Sequence, residues 1–414
     1  MINKELVIIG AGPAGLAAAL SAYEEGLRDI LIIERESKPG GILKQCIHDG
    51  FGLHKFKEIL TGPEYAFRYI EKVREKNIEI LTDTIVTMLT NDKYIKAINQ
   101  EQGIMEIKAQ AVILAMGSRE RTSGGISLPG DRPAGIYTAG LAQNLMNLHN
   151  IKVGEKIVIL GSGDIGLIMA RRLTLEGASV KAVLEIMPYS NGLKRNINQC
   201  LVDYDIPLKL QHTVIDVKGD SRLESVTVAE VDNQLQPIPG TEYDIDCDTL
   251  ILSVGLIPEN ELSRQANVQL DDITGGALVK DNLETNVEGI FSCGNVLHIH
   301  DLVDYVSDEA EKAGKSAVEY INQGKKWEKE NIFVEPGQGI NYVIPQVISK
   351  EKDQIFSMRV KQPDTDKTIK LFCEEEVIFE QDFDKVNPSE MIKIDIKKEK
   401  FKPLKGKSIK VVAI

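Results

Sequence analysis

Cysteine is scarce in this chain: five among 414 residues, standing apart as Cys46, Cys200, Cys247, Cys293 and Cys373. An odd, scattered set with no CxxC and no zinc-like Cys/His spacing excludes an obvious disulfide framework, and no metal ligand set is expected. Basic residues are outnumbered, 49 Lys and Arg against 62 Asp and Glu, for a formal charge of −13. Without a concentrated Lys/Arg stretch, nucleic acid is excluded as a partner, because neutralising phosphates is what supplies that affinity. No apolar run approaches the roughly 20 residues needed to cross a bilayer, so any membrane association would be peripheral and through a partner. The N-terminus enters a strand-like run without the basic segment, apolar core and cleavage site of a leader, so a cytoplasmic protein is expected.

What the chain does have is glycine in two matching patterns. Gly10-Ala11-Gly12-Pro13-Ala14-Gly15 and Gly161-Ser162-Gly163-Asp164-Ile165-Gly166 each follow an apolar run, Leu6 to Ile9 and Ile157 to Leu160, and each opens a helix-like run. Nineteen residues after each third glycine stands a glutamate, Glu34 and Glu185. One GxGxxG alone is weak evidence; strand, three glycines, helix and acid together form the dinucleotide-binding fingerprint, and here it occurs twice. The first glycine permits the tight turn, the second lets backbone approach the pyrophosphate, and the third lets helix and strand pack. The helix N-terminus offers N–H groups and partial positive charge to the phosphates, and the acid accepts from a ribose. A carboxylate at that place repels an adenosine 2′-phosphate, and no Arg pair follows Glu185, so the second copy favours NAD(H) over NADP(H).

The length suggests two or three domains, each able to bury its own core. Thr61-Gly62-Pro63-Glu64 reads as a capping box with proline at the first helical position, predicting a helix to about Lys76. Strands are expected at Ile78 to Leu81 and at Ala111 to Ala115. The stretch from Gly40 through Gly52, carrying Cys46 and His48, has neither helical nor strand period. Apolar strands that end in glycine, at Gly117 and Gly255, are each followed by a crossing between domains. Residues 301 to 321 show helical spacing at Val303, Val306, Ala310, Ala313, Ala317 and Ile321. From about Asn331 onward, short β-branched runs separated by charged turns read as a small β-rich domain.

These motifs together resemble the two-dinucleotide-domain flavoproteins, the pyridine nucleotide-disulfide oxidoreductase superfamily of thioredoxin reductase and glutathione reductase, over about residues 4 to 325. The resemblance implies an α/β fold of two Rossmann-like domains, the NAD(H) domain inserted in the FAD domain, with the β-rich domain behind. The expected boundaries are 1–120 and 256–328 for FAD, 121–255 for NAD(H), and 329–414 for the last domain. It implies FAD on Gly10, Gly12, Pro13, Ala14, Gly15, Glu34, Arg35, Gly41, Ala115, Gly117, Gly294, Asn295 and Val296. It implies NAD(H) on Gly161, Gly163, Asp164, Ile165, Gly166, Glu185 and Gly255. Asn295 departs from the superfamily's aspartate, so the ribityl contact is expected in altered form.

A second departure bears on the chemistry. The family's redox disulfide is missing: counting from Gly41, Leu43 and His48 occupy the places of the two cysteines, and no CxxC lies in the NAD domain. A closer resemblance, carried by residues 40–52, 60–66, 117–121 and 293–301, is to FAD/NAD subunits of bacterial multi-component dehydrogenases. These include the NADH flavoprotein that accompanies glycerol-3-phosphate dehydrogenase and the second subunit of hydrogen cyanide synthase. It implies an enzyme that exchanges electrons between NAD(H), FAD and a second flavoprotein or other electron-transfer subunit; homodimer and heteromer both stay open. Cys46 and His48 are the candidate catalytic residues, as proton donor or acceptor contact. His298 and His300 carry less weight, and a helix beginning near Asp301 is implied to aim its N-terminus at the flavin. Two alternatives stand beside this: a disulfide or peroxide reductase using Cys46 as its single redox cysteine, and a non-enzymatic flavin-bearing scaffold or sensor.

Overall fold

The computed structural model describes residues 1–323, 331–404 and 408–414. The boundary expected at 328/329 lies outside the described residues. The chain forms two compact units: residues 1–118 with 258–414, and residues 119–257.

The first unit is built on a seven-stranded sheet in the order Glu79–Leu81, Ile30–Ile33, Ile2–Ile9, Gly103–Leu114, Tyr94–Asn99, Thr84–Leu89, with Ile290–Ser292 also paired to Gly103–Leu114. The centre is parallel, Leu6 opposite Ile30 and Ala111, Ile8 opposite Ile32 and Ile113. Ile290–Ser292 adds in parallel at Val112 to Leu114. Leu6, Val7, Ile8 and Ile30 to Ile33 are all buried, as expected where helices cover both faces of a parallel sheet and the strands read as unbroken apolar runs. The strand expected at Ala111 to Ala115 is longer than its apolar part: its first half alternates and pairs antiparallel with Tyr94–Asn99.

Helix Pro13–Glu24 and helix Val303–Gln323 cross closely because both present small residues. A Cβ on Gly314 would collide with the Ala18 carbonyl, and Ser21 Oγ donates to the Glu311 carbonyl at 2.9 Å. The predicted capping box is present: Glu64 accepts from the Thr61 N–H at 2.8 Å, and helix Gly62–Glu75 follows. The stretch without period contains structure too irregular for a pattern to reveal, a 3₁₀ turn at Gly41–Gln45 after two positive-φ glycines and a short strand pair, Asp49–Phe51 with Leu60–Thr61.

The C-terminal strands form a five-stranded and a three-stranded sheet around a core of their own, with Phe356, Phe401, Ile369 and Leu371 fully buried. They belong to the first unit. Tyr342 and Ile344 join the core of the large sheet, and Asp281 accepts from the Ser349 N–H and the Gln354 amide.

The second unit has a five-stranded parallel sheet ordered Ile136–Thr138, Thr249–Leu252, Lys156–Leu160, Ser179–Glu185, Leu208–Leu210, plus an antiparallel three-stranded sheet. Alternate residues feed two cores: Ile157, Ile159, Val183 and Ile251 on one face, Val158, Leu160, Leu184 and Leu250 on the other. That follows from side chains pointing to opposite sides along a strand. No helix among the described residues is long and apolar enough to cross a membrane.

Candidate functional site

Both glycine turns lie where an open parallel sheet places its ligands, at the carboxyl ends of central strands. In the first unit the turn follows Ile2–Ile9 and meets the ends of two neighbours. A Cβ on Gly10 would overlap the Ala115 carbonyl, and one on Gly15 would overlap the Gly10 carbonyl. Gly294, with φ +73°, would bring a Cβ to 2.9 Å from Ala14 Cβ, and Gly41, with φ +57°, to 2.9 Å from Gly12 Cα. Gly12 itself has room, since its Cβ would meet only Gly41 Cα at 3.8 Å. Gly10, Gly12, Ala14, Gly15, Gly41, Ala115 and Gly294 thus converge from four segments distant in sequence.

Helix Pro13–Glu24 carries no side-chain cap at Gly12. Its first N–H groups and the positive end of its dipole are left for an anion, with no side chain in the way. Glu34 is buried and its two oxygens accept from the Ala11 N–H at 2.8 Å and the Glu36 N–H at 2.9 Å. The carboxylate is fixed at the end of its strand, with lone pairs left for a hydroxyl. Arg35 is exposed, and Val296 is buried with its carbonyl accepting from the Asn260 amide. A glycine cradle, an uncapped helix and a fixed acid fit a dinucleotide.

The second unit repeats the turn with additions. Gly161 and Gly166 are held against Ser253, and Gly163 is again the roomy one, its Cβ 3.6 Å from Ser253 Oγ. Glu185 accepts from the Ser162 N–H at 3.0 Å, the Ser162 hydroxyl at 2.5 Å and the Met187 N–H at 3.0 Å. Asp164, at the start of its helix, accepts from the Leu193 N–H at 2.8 Å and the Asn196 amide at 2.7 Å. Together with the Asn191 N–H donating to Ser162 Oγ, this folds residues 190–196 back onto the turn. Asp164 therefore holds protein rather than standing free for a nucleotide. Ile165 is half-buried on the same helix, and Gly255 has φ +101° beside Arg121.

Cys46 lies against the start of helix Gly62–Glu75, where its carbonyl accepts from the Gly62 N–H and a Cβ on Gly62 would press against it. Burial pushes its thiol up to about 12, so almost none is thiolate at neutral pH. None of the five cysteines is in a disulfide, and all five are buried. Cys46 is thus packed as a buried thiol in this structure. His48 is half-buried, its ring tilted 38° to that of Phe51 with centroids 5.0 Å apart, its Nδ1 3.0 Å from the Asp49 carbonyl.

The structure assembles a group that the sequence weighted lightly. His298 and His300 lie with ring centroids 4.2 Å apart, next to Glu309 of helix Val303–Gln323. Glu309 accepts from the Gly294 N–H at 2.7 Å with one oxygen, and its other oxygen is 2.8 Å from His298 Nε2. His298 Nδ1 faces Tyr342 Oη at 3.3 Å, and Arg359 Nε donates to that same oxygen at 3.2 Å. With the His298 proton on Nε2, the Arg359, Tyr342 and His298 donors all point toward Glu309, which accepts from the Gly294 N–H on its other side. Burial lowers His298 to about 4, the neighbouring His300 and Arg359 adding to it against the pull of Glu309. Glu309 is held well below the usual carboxylate range, the two imidazoles outweighing its burial. Arg359 also donates to the Ile299 carbonyl and lies 3.5 Å from Asp301. Glu309, Tyr342 and Arg359 are eleven to sixty-one residues from His298; the spacing of Glu309 on the helix face was the only local signal.

Residues 4–324 match the family described as Pyridine nucleotide-disulphide oxidoreductase. Hydrogen cyanide synthase subunit HcnB of Pseudomonas protegens is 26% identical over 284 residues, 64% of this chain and 59% of HcnB, so the match spans well under two thirds of that relative. Ferredoxin–NADP reductase of Picrophilus torridus is 26% identical over 310 residues, 72% of this chain and 87% of that protein. Among solved structures, the thioredoxin reductase of T. acidophilum superposes with a TM-score of 0.64 at 21% identity, covering 77% of this chain and 98% of that one. It supports the fold alone.

Proposed function

The chain belongs to the pyridine nucleotide-disulphide oxidoreductase family and is an FAD-dependent oxidoreductase, and from that premise we propose that it exchanges electrons between NADH and a partner protein. Bound FAD and NAD(H) supply the hydride chemistry; what the chain's own residues supply is binding, orientation and charge. Gly10, Gly12, Gly15 and Gly41 admit the FAD pyrophosphate against the uncapped helix Pro13–Glu24, and Glu34 takes its ribose. Gly117, Gly294, Asn295 and Val296 line the flavin end. NAD(H) is held on Gly161, Gly163 and Gly166, with Glu185 on the ribose, and the assignment places the FAD part in the first unit and the NAD(H) part in the second. Asn295 accepts from the His300 N–H at 3.1 Å through its side-chain oxygen, which leaves its amide N–H groups for a ribityl hydroxyl where the superfamily has a carboxylate.

The observation that carries the reading is two complete dinucleotide seats in a chain whose cysteines are all buried and unpaired to one another. With no disulfide among the five cysteines to relay them, the electrons pass on this reading to an outside acceptor, and the resemblance to dehydrogenase subunits supports a second flavoprotein, of the glycerol-3-phosphate dehydrogenase type, in that role. The purified protein should be yellow and bleached anaerobically by NADH faster than by NADPH. Affinity isolation from the native source should bring down a second flavoprotein. A protein loaded with FAD that reacts with neither nucleotide would sink the proposal, and one that reacts but isolates alone would remove the partner.

A further inference from the structure

We propose that His298, His300 and Glu309 hold one divalent transition-metal ion of the zinc or ferrous class. Their ligand atoms all lie within 4.8 Å of one another. His298 Nε2 is 2.8 Å and His300 Nε2 is 3.6 Å from the same Glu309 oxygen. An ion about 2.0–2.2 Å from each ligand at tetrahedral angles requires ligand atoms roughly 3.4 Å apart. The His300–Glu309 separation already fits, the His298–Glu309 separation opens by about half an ångström, and the two ring nitrogens, within 4.8 Å of each other, adjust to the same spacing.

The second observation is independent of that spacing. The His300 side chain is 1% exposed, yet neither of its ring nitrogens has a hydrogen-bond partner among the described residues. A buried polar group is ordinarily satisfied, and an orphan of this kind calls for an unseen ligand. Two imidazoles and one carboxylate are the donor set that zinc and ferrous iron share, leaving a further position for water.

The outer contacts are those of a metal centre. With an ion on Nε2, the His298 proton sits on Nδ1 and is donated to Tyr342 Oη, while the Gly294 N–H stands behind the second Glu309 oxygen and Arg359 behind Tyr342. Such partners fix ring orientation and carboxylate direction. The ion would tie three segments far apart in sequence: the turn after Ile290–Ser292, helix Val303–Gln323, and the C-terminal strands. Because Glu309 also fixes Gly294, a residue of the cradle around Gly12, the ion braces the turn without taking part in hydride transfer.

The test uses the full-length, flavin-loaded protein, dialysed against zinc sulfate, ferrous sulfate anaerobically or cobalt chloride, then desalted and measured for metal by mass spectrometry. About one ion per chain is expected, with a thermal midpoint raised by the metal. His300→Ala should drop the content below about a tenth while retaining flavin, whereas substituting the exposed His149 should leave it unchanged. If His300→Ala fails to fold, anomalous scattering at the zinc edge from crystals of the unaltered protein decides: a peak among His298, His300 and Glu309 upholds the site. Absence of a stoichiometric ion with all three metals, or a peak elsewhere, overturns it.

Discussion

The two glycine turns carry the same three glycines and the same acid nineteen residues on, and the hydrogen bonds repeat. The residue after the first glycine donates its N–H to the acid, Ala11 to Glu34 and Ser162 to Glu185, and the residue two after the acid donates to its other oxygen. The surroundings differ. The first turn is approached by another glycine, Gly41, and by Gly294, so backbone closes on backbone and no side chain has to move. The second is overlain by residues 190–196, tied down through Ser162 and Asp164. On the proposed assignment, what lies across each turn is what would separate a resident from an exchangeable nucleotide. Glycine packing favours permanence, and a strap held by a few side-chain hydrogen bonds of about 1 kcal/mol each can yield to an arriving ligand.

The sharpest way to break this comparison is at the glycines. Gly15→Ala drives a methyl into the Gly10 carbonyl, and should cost on the order of 1–3 kcal/mol and abolish flavin retention. Gly12→Ala has space in the folded chain, so the fold should survive while the ratio of flavin to protein absorbance collapses. Gly163→Ala should leave flavin content intact and raise KM for NADH. Flavin lost from the Gly163 variant and kept in the Gly12 variant would reverse the two assignments.

Glu185→Ser should next shrink the preference for NADH over NADPH by about tenfold, or 1.4 kcal/mol, read from anaerobic bleaching rates; Glu34→Ser should weaken flavin retention and leave that preference alone. Asp164→Ala removes two acceptors from the strap and should lower the stability of the second unit by about 1–2 kcal/mol, measured by denaturant unfolding. A KM for NADH that moves while stability does not would recast Asp164 as a nucleotide contact.

The smallest effect belongs to the first unit. Cys46→Ser should leave NADH-driven bleaching within about twofold, where a single-cysteine reductase would lose turnover with small disulfides altogether. Its folded thiol sits at about 12 against an ordinary 9.0. Below pH 9 neither state is ionised and the thiol has no pH-linked effect. As pH climbs from 9 toward 12 the unfolded chain releases the proton and the folded chain does not, so stability falls. Cys46→Ala should flatten that part of the thermal midpoint against pH. Cys200 and Cys247, raised to about 11 and about 12 by burial, impose the same sign on the second unit.

Much of this was legible. The glycine turns, their strands and acids, the capping box at Thr61 and helix Val303–Gln323 are local, each signalled within a few turns of chain. The burial of Cys46 was not legible, because its position in a family motif says nothing of what packs on it; that is decided by its approach to Gly62. The strap over the second turn was invisible because residues 190–196 have no period of their own. The C-terminal strands were readable as strands, but their docking through Asp281, Tyr342 and Arg359 rests on contacts between residues far apart in the chain.

By itself, then, the sequence determined the α/β class, two dinucleotide-type glycine turns with their acids and the lack of a CxxC, because periodicity, turn geometry and residue spacing are properties of neighbours along the chain. Only the tertiary structure decided which thiols are inert, what crosses each glycine turn, and that His298 and His300 meet Glu309. Those depend on dielectric and distance, and residues far apart in the chain acquire both only when the sheets and helices pack.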